Sequence, residues 1–302
     1  MNFRKEIVKM NSFISYLASG ISLGGIYALI ALGYTMVYGI AKMLNFAHGD
    51  VIMVGGYTIF LAITSLSCPI WLSLLIGVLV CTALGVTIER IAYKPLRGAS
   101  SISVLITAIG VSYLLQNLAL NILGSDAKTF KSVVTLKPIV INEGLKISGE
   151  TVVTIIVTVV IMIALTLFIN KTKMGRAMQA VSEDKGAAQL MGINVNFTIS
   201  MVFAIGSALA AVAGALLCST YPQISPYTGS MPGIKAFIAA VFGGIGSIPG
   251  AMLGGLLLGV IENLSKAYIS SQLSDAIVFA VLIVVLIVKP TGLLGKKINE
   301  KV

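Results

Sequence analysis

Charge is scarce in this sequence. Asp, Glu, Lys and Arg make up 11% of its 302 residues, against about a quarter in soluble domains. Apolar residues reach 57%, more than a soluble domain of this length can bury, so several long apolar runs must face lipid. A single histidine excludes a His-rich metal site. The three cysteines (Cys68, Cys81 and Cys218) lie in or beside apolar runs without metal-ligand spacing and read as packing residues. No carboxylate pair stands at helical spacing within an apolar run. Neither a Gly-x-Ser-x-Gly elbow nor a phosphate-binding Gly-x-x-x-x-Gly-Lys-Ser/Thr loop is present, the nearest fragment being Gly292-Leu293-Leu294-Gly295-Lys296-Lys297. Catalysis is therefore not expected here, and any nucleotide hydrolysis belongs to another chain.

What is present is an integral membrane protein, all-α in class. Eight apolar stretches read as helices: 13–38, 46–66, 70–90, 102–123, 151–169, 197–218, 234–264 and 273–289. Alternating ten-residue strands of the barrel type do not occur. The basic start Met1-Asn2-Phe3-Arg4-Lys5 could open a signal peptide, but the apolar run from Phe13 continues past Tyr34 and is expected to remain as a span. Residues 1–302 are read as one transmembrane domain.

The net charge of +10 does not point to nucleic acid, because the positive residues cluster in short connections and mark cytoplasmic faces. Arg90, Lys94 and Arg97 sit in one such connection and Lys171, Lys173, Arg176 and Lys185 in another, the segment 170–196. The connection 124–150 is then external, despite its four lysines. Both termini are basic (Arg4, Lys5, Lys9; Lys296, Lys297, Lys301), which predicts cytoplasmic ends. Three helices separate each end from the nearest cytoplasmic connection, however, and an odd number of crossings cannot begin and end on one side. Either both ends are external, or one segment in each half is broken, Gly39 to Asp50 in the first and Phe242 to Gly250 in the second; two full spans meeting at tight turns are the alternative to a break. Interruptions in corresponding positions predict two inverted-repeat halves with discontinuous helices beside the pathway.

Irregular backbone at membrane depth is tolerated where it is buried in protein or lines a water-filled cavity. Asn45, Phe46, His48, Gly49 and Asp50 are therefore pathway candidates, together with Gly243, Gly244, Gly246 and Pro249. For the first group a hydrogen-bonded turn is the alternative, with Asp50 capping a helix. Lys235 and Glu262 read as helix-end residues reaching toward an interface. Gly20-x-x-x-Gly24 and Gly250-x-x-x-Gly254 allow close helix packing.

The segment Gly175 to Asn194 is polar, rich in helix formers and ended by Gly192. Ala177, Ala180, Val181, Ala188 and Met191 give it an apolar stripe, suited to docking in a groove on a soluble partner or to lying on lipid. Gly186-Ala187-Ala188-x-x-x-Gly192 resembles the Glu-Ala-Ala-x-x-x-Gly coupling motif of ATP-binding-cassette importer permeases, with Gly186 in place of Glu. Three further blocks resemble the branched-chain amino acid permease family: Gly33-Tyr34-Thr35-Met36-Val37-Tyr38-Gly39, Leu44-Asn45-Phe46-Ala47-His48-Gly49-Asp50 and Phe242-Gly243-Gly244-Ile245-Gly246-Ser247-Ile248-Pro249-Gly250-Ala251. The similarity runs over about residues 15–295 and is to the shorter of the two permeases in such systems.

That resemblance implies a multi-pass subunit of the cell (inner) membrane, in contact with lipid and without a cofactor of its own. ATP and Mg would be bound by two cytoplasmic ATPase partners. A second related permease and an extracytoplasmic solute-binding protein complete the machine, and leucine, isoleucine and valine are the default solutes. Urea, amides or other amino acids are alternatives within the same importer class. An ion-coupled secondary transporter or a passive channel are the rivals outside it. The coupling segment would act through Gly175, Arg176, Ala177, Ala180, Val181, Glu183, Asp184, Gly186, Ala187, Ala188, Leu190, Met191, Gly192 and Ile193.

Overall fold

A computed structural model describes residues 2–142 and 145–295. Eleven α-helices form the molecule: α1 (Asn2–Ala41), α2 (His48–Thr64), α3 (Ile70–Ile88), α4 (Ser101–Leu123), α5 (Gly149–Lys171), α6 (Lys173–Glu183), α7 (Lys185–Leu190), α8 (Val195–Thr220), α9 (Ser230–Gly243), α10 (Ile248–Tyr268) and α11 (Ser274–Val288). A π-helical turn, Glu89–Tyr93, and a 3-10 turn, Lys94–Leu96, extend α3. Two small antiparallel pairs complete it, β1 (Lys128–Thr129) with β4 (Gln223–Ile224) and β2 (Ile139–Asn142) with β3 (Leu145–Ile147). Among the described residues, six helices are long and apolar enough to cross a membrane, and α2, α9 and α11 are shorter apolar helices. The stretch 234–264 is thus two helices and not one. Gly244 and Gly246, at φ of 107° and 90°, reverse the chain between α9 and α10.

Helix α1 is the axis of the bundle, with Ile26, Leu29, Ile30 and Leu32 wholly buried. Lipid is as apolar as these side chains, so close packing, not the hydrophobic effect, holds the axis to its neighbours. Small residues make that packing possible: a Cβ at Gly24 would meet Leu256 backbone atoms of α10 at 2.7–2.8 Å. The two helices run antiparallel, with Tyr16 beside Tyr268 at one end and Gly39 against Gly246 at the other.

This pairing fixes the sidedness. At the Gly39 end, Lys185 Nζ donates to the Ala41 carbonyl at 2.9 Å, and Leu293 and Leu294 N–H groups donate to Phe242 and Gly243. The segment 170–196 and the chain up to Gly295 therefore share one face. The start of α1 lies on the opposite face, and α1 also packs against β3 of the 124–148 connection. The expectation that both ends lie on the face of segment 170–196 is corrected at the start of α1: the chain up to Gly295 lies on that face, and the start of α1 on the opposite one. The basic residues Lys296, Lys297 and Lys301 lie outside the described residues, as do the side chains of Arg4 and Lys5.

Each half contains a long helix, an irregular return and a short helix. After Ala41 the chain turns at Lys42, whose φ is 60°, and residues 42–47 climb back along α1. His48 then packs beside Gly33, eight residues and about 12 Å along the axis from Ala41, so α2 starts inside the bundle. In the second half, residues 221–229 descend from the far end of α8 and α9 begins beside α2. A Cβ at Gly229 would lie 1.8 Å from the Gly49 carbonyl oxygen, so the two short helices meet N-terminus to N-terminus. Helices α1 and α8 come together beside this contact, where Gly206 approaches Gly33 and the His48 ring.

Candidate functional site

The meeting point of α2 and α9 borders a cavity of about 540 Å³. Tyr34 comes to it from the axis, Phe46 from the return, Gly49 and Asp50 from α2, and Ser230, Gly233 and Ile234 from α9. Helix α4 forms the remaining wall through Leu105, Ile109, Ser112, Tyr113 and Gln116. The cavity is apolar around one polar pole. There Gln116 Nε2 donates to Asp50 Oδ1 at 2.8 Å and lies 3.3 and 3.4 Å from the Ser112 and Ser230 hydroxyls.

The first-half pathway candidates divide. Phe46, Gly49 and Asp50 line the cavity, whereas Asn45 and His48 are turned into protein. Asn45 Oδ1 accepts from the Tyr93 hydroxyl at 2.9 Å. His48 fills a notch over Gly33, where a Cβ would come within 2.3 Å of its Nε2, and stands edge-on to Tyr34 at 4.8 Å. Asp50 does not cap α2; Ala47 holds the cap position without a side-chain bond. The Asp50 carboxylate still sits in the first turn, where the helix dipole favours negative charge.

Gly243, Gly244, Gly246 and Pro249 lie elsewhere, in the α9–α10 reversal at the face of segment 170–196. Gly243 and Gly250 are in backbone contact, and residues 292–295 close over Gly244. The spatial counterpart of the first-half return is instead 221–229, followed by Ser230 and Gly233. Pro222, Pro226, Gly229, Pro232 and Gly233 were the available signal, but their polarity placed them in a connection ahead of the apolar run from 234. Gln116 and Ser112 carried no signal, because isolated polar residues on an apolar helix do not reveal which side they face.

Lys235 and Glu262 do not reach an interface. Lys235 Nζ bonds Glu262 Oε1 at 2.8 Å and Asp275 Oδ1 at 2.6 Å, while Lys266 and the Tyr27 hydroxyl also donate to Glu262. The cluster ties the back of α9 to α1, α10 and α11.

Segment 170–196 folds as two short helices broken at Asp184, whose carboxylate accepts from the Ala187 N–H at 2.9 Å. Gly175, Met178, Val181 and Ala188 form its buried side, with Ala177, Ala180 and Ile193 half-buried. Arg176, Glu183, Asp184, Gly186, Ala187 and Gly192 are exposed. Of the expected stripe, Val181 and Ala188 are turned into the protein, while Met191, with Leu190, projects into solvent, 82% and 90% exposed. Gly192, at φ 81°, makes the turn that presents them. Lys185 points inward to Ala41; burial and the nearby Arg97 and Lys42 cations push its ammonium below the ordinary lysine value. Behind the segment, Glu89 is fully buried, pairs with Arg97 and accepts from Ser200 at 2.6 Å.

Comparison with known proteins places this architecture. A family profile described as "Branched-chain amino acid transport system / permease component" matches residues 16–286. The chain is 48% identical to the high-affinity branched-chain amino acid transport system permease protein LivH of Salmonella typhimurium, over 96% of this chain and 98% of that protein. It is 47% identical to the corresponding permease BraD of Pseudomonas aeruginosa, with the same coverage. A probable branched-chain amino acid transport permease LivH of the archaeon Methanocaldococcus jannaschii is 31% identical, over 92% of this chain and 89% of that one.

Proposed function

The chain belongs to the branched-chain amino acid transport permease family, and from that membership we propose that it carries leucine, isoleucine and valine inward through the seam between α2 and α9. It is a multi-pass inner-membrane permease subunit of an ATP-binding-cassette importer. The single observation that carries the solute assignment is 47–48% identity across nearly the whole length of permeases so named. ATP and Mg bind to two separate ATPase subunits on the face of segment 170–196. A second, related permease completes the membrane part, and an extracytoplasmic binding protein delivers the solute to the opposite face.

The mechanical reading follows from the connections. Exposed Leu190 and Met191 offer an apolar knob to an ATPase groove. Its helix is held at Ala188 and tied through Lys185 to the last carbonyls of α1, directly before the return that carries Phe46 to the cavity. Movement of the ATPases would then be delivered to the return and to the start of α2, rocking one half against the other.

Reconstitution into liposomes with the related permease, two ATPases and binding protein tests this. Leucine uptake should require ATP and loaded binding protein. Uptake driven by an ion gradient without ATPases would overturn the reading.

A further inference from the structure

The carboxylates inside this bundle are treated unequally. Glu89 is paired with Arg97, Glu262 with Lys235 and Lys266, and Asp275 with Lys235. Asp50 is 2% exposed, yet among the described residues no cation lies within 4 Å of it. Its side-chain donors are neutral, the Gln116 amide at 2.8 Å and the Ser112 hydroxyl. A buried charge is ordinarily paired, and an ionisable group at membrane depth without a partner points to a functional role. Asp50 also lines a cavity whose volume is that of a small-molecule site.

We propose that this cavity is a transient binding site for a zwitterionic amino acid, in which Asp50 receives the α-ammonium and the apolar wall of Leu105, Ile109 and Ile234 receives the aliphatic side chain. The inference rests on the reading that the chain carries aliphatic amino acids, and deepens it. The Ser230 hydroxyl on α9, whose oxygen accepts from Gln116, has its own O–H to offer the carboxylate. The ammonium provides the cation that the protein leaves out, so the pair forms only when solute is present. It lies where the two short helices meet, so rocking of the halves changes the distance between Asp50 on α2 and Ser230 on α9 and can release the solute. The permease thereby adds a second filter behind the binding protein, one that rejects a branched acid lacking the amine.

The test uses the full complex in proteoliposomes. With Asp50→Asn, leucine uptake at saturating loaded binding protein should fall about tenfold or more, while binding-protein-stimulated ATP hydrolysis persists. Uptake within about twofold of the unmodified complex would overturn the site and leave the transport reading standing. Failure of the unmodified complex to take up leucine would instead sink that reading. A second measurement keeps the Asp50 carboxylate. In a Ser112→Cys complex, a cationic methanethiosulfonate should react about tenfold faster than its anionic counterpart, and leucine turnover should slow both. Equal rates for the two reagents, or no protection by leucine, would overturn the proposal even if Asp50→Asn fails to assemble.

Discussion

Single residues set this molecule's tolerances. Gly33 leaves the notch in which the His48 ring lies, and that ring fixes the depth at which α2 begins. Gly33→Ala puts a methyl 2.3 Å from Nε2, so the imidazole must move. Overpacking of this kind costs about 1–3 kcal/mol. Thermal unfolding of the purified protein should show that loss, and Gly33→Ala combined with His48→Ala should recover part of it. Strict additivity of the two would mean the ring does not occupy the notch. At the buried ion cluster, Lys235→Met strands Glu262 and Asp275 against Lys266 alone. A loss of about 3–5 kcal/mol is expected. Adding Glu262→Leu should restore stability, because Asp275 and Lys266 are 43% and 34% exposed and can hydrate. If the double variant melts below the single one, the cluster is not an isolated balance of charges.

Elements carry the coupling. Helix α7 is six residues long and too short to hold its shape alone; the Asp184 cap, buried Ala188 and the Gly192 turn hold it. Met191→Glu changes an exposed side chain and should leave the protein folded in the membrane. Charge in an apolar groove should nevertheless lower leucine uptake about tenfold, equivalent to about 1.4 kcal/mol. Unchanged uptake would remove Leu190 and Met191 from the contact with an ATPase. The π turn at Glu89–Tyr93 serves the same end of the molecule. It aims Glu89 at Arg97 and Ser200, beside the start of α8, and Tyr93 at Asn45 in the return. Tyr93→Phe removes that hydrogen bond with little change of shape. It is expected to reduce uptake severalfold, by the roughly 1 kcal/mol of a buried bond, while ATP hydrolysis continues.

At the scale of the whole molecule the arrangement is a pair of oppositely directed halves whose short helices abut at mid-depth. The contacts along α1 and α10 place the start of α1 opposite segment 170–196 and residues 289–295 beside it. In intact cells, Lys9→Cys should therefore react with an impermeant thiol reagent, and Thr291→Cys should react only after the membrane is opened. Labelling of both from outside, or of neither, would break the assignment.

The sequence alone determined the membrane class and most of the spans, and it predicts the side on which segment 170–196 lies. Each follows from local quantities: apolar run length against bilayer thickness, and the placement of Lys and Arg in short connections. It also located the irregular stretch Asn45 to Asp50, because polar residues and glycine inside an apolar region need no partner to be noticed. Tertiary structure decided the rest. Hydropathy merged α9 and α10, since their four-residue reversal is small and apolar, and that merger produced the wrong parity for the C-terminal half, while the basic start put the beginning of α1 on the wrong face. It could not separate Asp50, which faces the cavity, from His48 two residues earlier, which faces α1; the difference is a rotation about the helix axis. Nor could it see that Lys235 and Glu262, 27 residues apart, neutralise each other across two helices. Which buried carboxylate lacks a cation is a property of the packed bundle, and among the described residues that property singles out Asp50.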